Sequence, residues 1–160
     1  MATKNTNLSS FNKEGVPNAK GLSFGIVVSE WNSNITEGLY NGAYEALIEC
    51  GVNPTDISRM DVPGSYELVF GAKIAVAKQN PDAIICLGSV IQGETKHFDF
   101  VCNAVSLGIK DLNISLNIPV IFGVLTDNTM EQAINRSGGK HGNKGVEAAI
   151  TAIKMAVLNK

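Results

Sequence analysis

Paired cysteines, a strong charge of either sign, a long apolar run and an abundance of aromatic rings are all missing from this chain, and each absence removes a class of protein. The three cysteines, Cys50, Cys86 and Cys102, show no C-x-x-C spacing. That argues against a disulfide framework and fits reduced structural thiols in the cytoplasm. A formal net charge of −2 over 160 residues offers no electrostatic footprint for nucleic acid. No stretch is long and apolar enough to span a bilayer, and the polar opening residues lack the apolar centre of a signal peptide. No partnership with nucleic acid or membrane is expected. The two histidines, His97 and His141, lack metal-ligand spacing, so no metal is expected either. Aromatic residues make up only 6% of the chain, so each ring beside a motif carries weight.

What is present suits a globular protein. The hydrophobic share is 44% and the charged share 18%, enough apolar surface to bury a core without metal or disulfide support. The length favours one domain. Residues 1–20 are polar and carry Gly15 and Pro17, which predicts an N-terminal arm, extended or partly disordered. Residues 21–160 form the single domain.

Within that domain, short β-branched runs alternate with helical stripes. Phe24–Val28 reads as a buried strand. Asn34 with Glu37 three residues on predicts a capping box, and the stripe Ile35, Leu39, Ala43, Ala46, Leu47, Cys50 predicts a helix that Gly51 ends. Ile57–Val62 is a second strand. Ser65 is placed to cap a helix reaching about Gln79. Ala83–Leu87 is a third strand, with Gly88–Thr95 read as a loop. Phe98, Val101, Val105, Ile109, Leu112 and Leu116 mark another helix, and Val120–Leu125 a fourth strand. Thr129 and Gln132 predict a capped short helix to Arg136. A glycine-rich basic loop, Ser137–Gly145, precedes a last helix carrying Val146, Ala149, Ile150, Ile153 and Val157. The order β-α-β-α-β-α-β-α-α argues a parallel four-stranded sheet with helices on both faces. The expected fold is a three-layer α/β/α sandwich of flavodoxin-like topology.

Ligands of such sheets bind beyond the carboxyl ends of the strands, so the strand-to-helix loops are where chemistry belongs. Trp31, the only tryptophan, is either a stacking platform for a heterocycle or a plug at the end of the core. Ser65 and Glu67 serve either as helix-terminal groups or as hydrogen-bonding partners of a polar ring. Gly93-Glu94-Thr95 precedes a helix N-terminus, where backbone N–H groups can hold phosphate. His97 follows in the first turn. Imidazole titrates near neutrality, which suits proton transfer. Arg136, Lys140 and Lys144 flank the later glycines, and a guanidinium fork matches phosphate oxygens. This is not a P-loop, because no G-x-x-x-x-G-K-[ST] occurs, and no G-x-G-x-x-G follows the first strand.

Read together and in order, these loops resemble the lumazine synthase family. The resemblance runs from Phe24 to Met155. It is carried by Phe24-Gly25-Ile26-Val27, Trp31-Asn32, Val62-Pro63-Gly64-Ser65-Tyr66-Glu67, Gly93-Glu94-Thr95-Lys96-His97-Phe98-Asp99, Pro119–Thr126, Glu131-Gln132-Ala133 and Lys140-His141-Gly142-Asn143-Lys144-Gly145. It implies condensation of 5-amino-6-(D-ribitylamino)uracil with 3,4-dihydroxy-2-butanone 4-phosphate to 6,7-dimethyl-8-ribityllumazine, with release of phosphate and water and with no cofactor. By the same resemblance Trp31 stacks on the pyrimidine. Ser65, Tyr66 and Glu67, and the backbone of Ser89, Val90 and Ile91, bind the ribitylaminouracil. Glu94, Thr95 and Arg136 bind phosphate. His97 and Arg136 are catalytic. Phe122 forms an apolar wall and Lys144 lies near the ring, and these two with Arg136 reach in from the adjacent subunit. The family forms pentamers, and some members close twelve of them into a shell of sixty subunits. The short segment Gly138–Gly145 leans toward the shell. Riboflavin synthase is a partner implied in the same way.

The family pattern is not matched everywhere. Tryptophan stands where phenylalanine is more frequent, and Glu94 where small residues are common. Competing readings are a flavin or lumazine carrier without turnover, a structural shell protein on the same fold, and a generic nucleotide-binding α/β protein.

Overall fold

Two apolar layers, one on each side of a central sheet, follow directly from the period-two pattern of the strands. In the computed structural model, which describes residues 7, 9–12 and 15–160, β1 (Phe24–Ser29) is buried along its whole length. Phe24, Ile26 and Val28 face one layer and Val27 the other. In β3 (Ala83–Ile91) the split is the same: Ile85 and Leu87 face the first layer, Ile84 and Cys86 the second. Each large apolar side chain removed from water in this way contributes about 1.5–3 kcal/mol.

The sheet has the order β2-β1-β3-β4 with every pairing parallel, β2 being Ile57–Val62 and β4 Val120–Asp127. Helices α1 (Ser33–Glu49) and α5 (Lys144–Leu158) cover the first layer. Helices α2 (Leu68–Gln79) and α3 (His97–Ser115) cover the second. This is the expected three-layer α/β/α arrangement. A short helix, α4 (Met130–Arg136), and a small antiparallel pair, β5 (Ser137–Gly139) with β6 (Gly142–Asn143), lie between β4 and α5. The glycine-rich segment is therefore a hairpin rather than an open loop. Cys86, at the centre of the sheet, is wholly buried, and burial pushes its thiol up to about 12.

Helices α1 and α5 approach so closely that only glycine fits at Gly145. A Cβ there would fall inside the Leu39 carbonyl oxygen. Asn143 secures the same junction: its amide donates to the Gly38 and Ser137 carbonyls, and its Oδ1 accepts from the Gly145 N–H. Of the predicted arm, Phe11 and Val16 pack against the α1/α5 layer, and Ser9 Oγ accepts from the Asn143 N–H at 2.8 Å. Residues 1–6, 8, 13 and 14 lie outside the described residues.

Three local expectations are corrected. Asn34 and Glu37 do not form a capping box. Asn32 is the N-cap of α1 with φ 61°, and the Glu37 carboxylate turns instead to Arg59 on β2, at 2.9 and 2.5 Å. Ser65 does not cap α2. It opens a single 3-10 turn, Ser65–Glu67, and α2 begins at Leu68. Gly88–Ile91 is strand, not loop: β3 continues along β4 as far as Ile91 opposite Asp127. Gly88 here serves packing rather than termination, because a Cβ would lie 2.6 Å from Ser65 Oγ and 2.9 Å from Leu68 Cδ1. The Thr129 cap on α4 forms as expected, with Gln132 donating its N–H to Thr129 Oγ1 and accepting from the Asn128 N–H.

Candidate active site

The chain leaves β1 toward β2 on one side, and β3 pairs β1 on the other, so a crevice opens at the carboxyl ends of β1 and β3. A cavity of about 630 Å³ occupies it. Its walls come from four segments: Trp31 after β1, Gly64–Glu67 after β2, Ser89–Gly93 at the tail of β3 apart from Gln92, and Thr95, His97, Phe98 and Val101 at the start of α3. Nine of the residues singled out in the sequence meet here, namely Trp31, Ser65, Tyr66, Glu67, Ser89, Val90, Ile91, Thr95 and His97.

Backbone hydrogen bonds extend the sheet into the loops and fix them. Past the end of β1, the Glu30 N–H donates to the Val62 carbonyl at 2.8 Å and the Trp31 N–H to the Pro63 carbonyl at 3.2 Å. The left-handed backbone at Asn32 then turns the chain into α1. The Asn32 amide, freed from capping, donates to the Ser89 carbonyl at 3.0 Å. Trp31 is consequently held over the mouth with 72% of its surface exposed, as an open apolar face rather than a core plug. On the far side, the Gln92 N–H donates to the Asp127 carbonyl at 2.9 Å, so the floor strand stays paired to its end.

Two serines that line the cavity carry hydroxyls set into its wall. Ser65 Oγ and Ser89 Oγ are buried, and neither has a hydrogen-bond partner among the described residues. A buried polar group left unsatisfied costs about 1–3 kcal/mol, so the wall behind the cavity carries polar capacity that the described residues do not use. With Trp31 above and Val90, Ile91, Phe98 and Val101 alongside, the cavity suits a flat polar heterocycle. Thr95 and His97 stand at the other end. Thr95 Oγ1 accepts from the His97 N–H at 3.3 Å, which ties the turn to the first residue of α3, and the His97 side chain is exposed to the cavity. An imidazole at a helix N-terminus beside a polar cleft is able to pass protons to and from a ligand.

Four of the singled-out residues do not line this cavity. Glu94 lies on the same turn but outside it. Phe122, on β4, packs at the edge of the α2/α3 layer. Lys144 opens α5 and pairs with Glu147. Arg136, the last residue of α4, borders a separate cavity of about 360 Å³ with Asp127, Asn135 and His141, and its Nε lies 3.7 Å from Asp127 Oδ1. Within one copy of the chain, then, the histidine and the arginine occupy different clefts.

Asn32, Gly64, Phe98, Val101 and Asp127 were not assigned site roles from the sequence. Phe98 and Val101 lie on the helical stripe that marks α3, and the first turns of that stripe project beyond the sheet into the cavity. Among the described residues, no group of three His, Cys, Asp or Glu side chains is placed to hold a metal ion, and no helix is long and apolar enough to cross a membrane.

Comparison with known proteins gives one consistent result. The family model for 6,7-dimethyl-8-ribityllumazine synthase matches residues 21–160. A protein of that name from Flavobacterium johnsoniae is 65% identical over 160 residues, covering 100% of this chain and 84% of its own. The one from Christiangramia forsetii is 62% identical over 161 residues, covering 100% and 96%. The one from Flavobacterium psychrophilum is 59% identical, covering 100% and 85%.

Proposed function

The chain belongs to the 6,7-dimethyl-8-ribityllumazine synthase family, and from that membership we propose that it joins 5-amino-6-(D-ribitylamino)uracil to 3,4-dihydroxy-2-butanone 4-phosphate in riboflavin biosynthesis, as a transferase. The observation that carries the substrate assignment is the convergence of Ser65, Tyr66, Glu67, Ser89 and His97 on one cavity roofed by an exposed tryptophan. The segment Ser65-Tyr66-Glu67 and the backbone of Ser89, Val90 and Ile91 supply hydrogen bonds to a polar ring. Stacking on Trp31 orients the ring.

The residue types fit the steps. The aromatic amine adds to the ketone and the adduct loses a water to give an imine. A proton then leaves carbon as the phosphate departs with its bonding electron pair. The enol left by that elimination takes up a proton at its terminal carbon and becomes a ketone, and attack of the ribitylamino nitrogen on this new carbonyl closes the ring with loss of a further water. His97 receives and returns protons in the imine and elimination steps. The turn Glu94-Thr95 and Arg136 stabilise charge on the departing phosphate, the turn through its backbone N–H groups.

The separation of His97 from Arg136 supports a site completed by a neighbouring copy, with Phe122, Arg136 and Lys144 delivered across a subunit boundary. Helix α3 exposes Phe100, Leu107 and Ile114 at seven-residue spacing, and Phe70 is exposed on α2. An apolar stripe of that kind on a helix favours burial against another subunit. The assembly proposed is a pentamer, with closure into a sixty-subunit shell and association with riboflavin synthase as further steps, in the cytoplasm. No cofactor is required.

The test is product absorbance and fluorescence on mixing the purified protein with both substrates, against a no-protein baseline and a His97→Ala, Arg136→Ala double variant. Strong acceleration by the wild type alone supports the enzyme. A wild type that only matches the baseline while added riboflavin quenches Trp31 emission supports the carrier instead.

A further inference from the structure

Asp127 is the last residue of β4 and 4% exposed. Its two carboxylate oxygens are used unequally. Oδ1 faces Arg136 Nε at 3.7 Å, whereas Oδ2 is buried with no partner among the described residues. A carboxylate in that setting is costly to keep charged. Burial pushes its carboxyl up, and Arg136 pulls it back down. Nothing in the fold demands an acid here. The Asp127 backbone already secures the strand end by accepting from Gln92, and the Thr129 cap with Gln132 secures α4.

The geometry points to a role in aiming the arginine. Arg136 closes α4 with its side chain two-thirds buried, borders one cavity with Asp127, Asn135 and His141, and has no hydrogen-bond partner for its Nη groups among the described residues. A guanidinium has two useful edges. One held at Nε leaves the two Nη groups as a fork of fixed direction, the arrangement that bidentate phosphate recognition needs. Only two residues, Asn128 and Thr129, separate the end of β4 from α4, so donor and acceptor are carried on one rigid corner.

We propose that Asp127 is the positioning residue for Arg136, holding its Nε edge so that the Nη fork faces the phosphate of the four-carbon substrate. This rests on the functional reading above. Asp127 itself touches no substrate. It acts through Arg136, and its cost to the fold is the cost of keeping the fork aimed.

The test is a four-corner comparison of wild type, Asp127→Asn, Arg136→Ala and the double variant, in the assembled protein with both substrates. The readouts are KM for each substrate, kcat, and competitive inhibition by inorganic phosphate. Asp127→Asn should raise KM for the phosphate-bearing substrate, and weaken phosphate inhibition, by about 10-fold. It should leave KM for the ribitylaminouracil within about twofold and should not lower Tm at pH 7. In the Arg136→Ala background it should change nothing further. Asp127→Ser provides a second variant with the same expected pattern if the asparagine amide disturbs the corner. If Arg136→Ala weakens phosphate recognition and neither Asp127 variant does, the positioning role is overturned while the enzyme reading stands. Equal shifts in both KM values, or additivity with Arg136→Ala, also overturn it. If Arg136→Ala leaves phosphate recognition intact, the assignment of Arg136 falls and this inference falls with it.

Discussion

The amide of Asn32 donates to the carbonyl of Ser89 at 3.0 Å, bridging the loop that carries Trp31 to the strand that lines the far wall of the cavity. This one bond couples the roof of the cavity to its floor. Asn32 also sits at φ 61°, where residues other than glycine, asparagine and aspartate are strained. The two duties separate by mutation. Asn32→Gly should keep the turn and lose the bridge, raising KM for the ribitylaminouracil by about 3- to 10-fold with little change in Tm. Asn32→Ala should add backbone strain of about 1–2 kcal/mol, visible in denaturant unfolding. Identical stability for the two variants would refute this division.

Trp31 should report its own function. It is the sole tryptophan and is mostly exposed, so its emission reads cavity occupancy without a label. Removing an aromatic platform beneath a nucleobase-like ring costs about 1–3 kcal/mol. Trp31→Ala should therefore raise KM for the ribitylaminouracil by about 10- to 100-fold, and Trp31→Phe should recover most of the loss. Steady-state kinetics with the second substrate saturating measures both. A Trp31→Ala enzyme with unchanged KM would reduce the ring to a lid.

Acid should weaken the fold through two carboxylates. Hydrogen bonds from Arg59 hold Glu37 below its ordinary value against the opposing effect of burial. Burial acts to raise Asp82, but the Ser23 backbone N–H, Lys160 and the Ser23 hydroxyl outweigh it, and the carboxyl is lowered. A lowered folded pKa means that the unfolded chain binds protons more readily in that range, so the stability is present above the ordinary carboxylate values and is lost as pH falls through the depressed ones. Asp127 has the opposite sign, since its raised carboxyl contributes stability at low pH that is lost as pH rises through its folded value. Thermal melts between pH 3 and 7 should show a falling acid limb that Glu37→Gln flattens. A limb of unchanged slope in that variant would dismiss the Glu37 contribution.

Gly145→Ala should be among the most damaging single changes in the chain. The added methyl meets the Leu39 carbonyl, a backbone atom of another helix, so relief requires α1 and α5 to move apart. Overpacking of this kind costs about 1–3 kcal/mol or more. It should lower Tm by several degrees and reduce soluble yield. A variant with wild-type Tm would show that the helices slide freely.

Alternating β-branched runs and helical stripes made the layers and the succession of elements readable, because burial on a parallel sheet imposes both periods. The cavity was readable as a set of loop tips for the same reason. Local details were less so, since they depend on partners distant in sequence. Glu37 caps nothing because Arg59, twenty-two residues on, competes for its carboxylate. Gly88 looks like a strand terminator until the packing of Ser65 and Leu68 against it is known. Val101 reads as core by spacing and does pack against the α2/α3 layer, but its helical turn also lines the cavity. The isolation of Arg136 from His97 is a fact of three-dimensional placement that no spacing announces.

The thiol of Cys86 lies at the centre of the sheet and is scarcely ionised at neutral pH. Thiolate is the form that alkylating reagents attack, and Cys86 sits on a strand paired on both sides, so a reagent reaches it only when that strand is uncovered. Modification of Cys86 therefore times the rare event in which the whole sheet parts, and the rate of alkylation serves as a clock for global opening of the native protein.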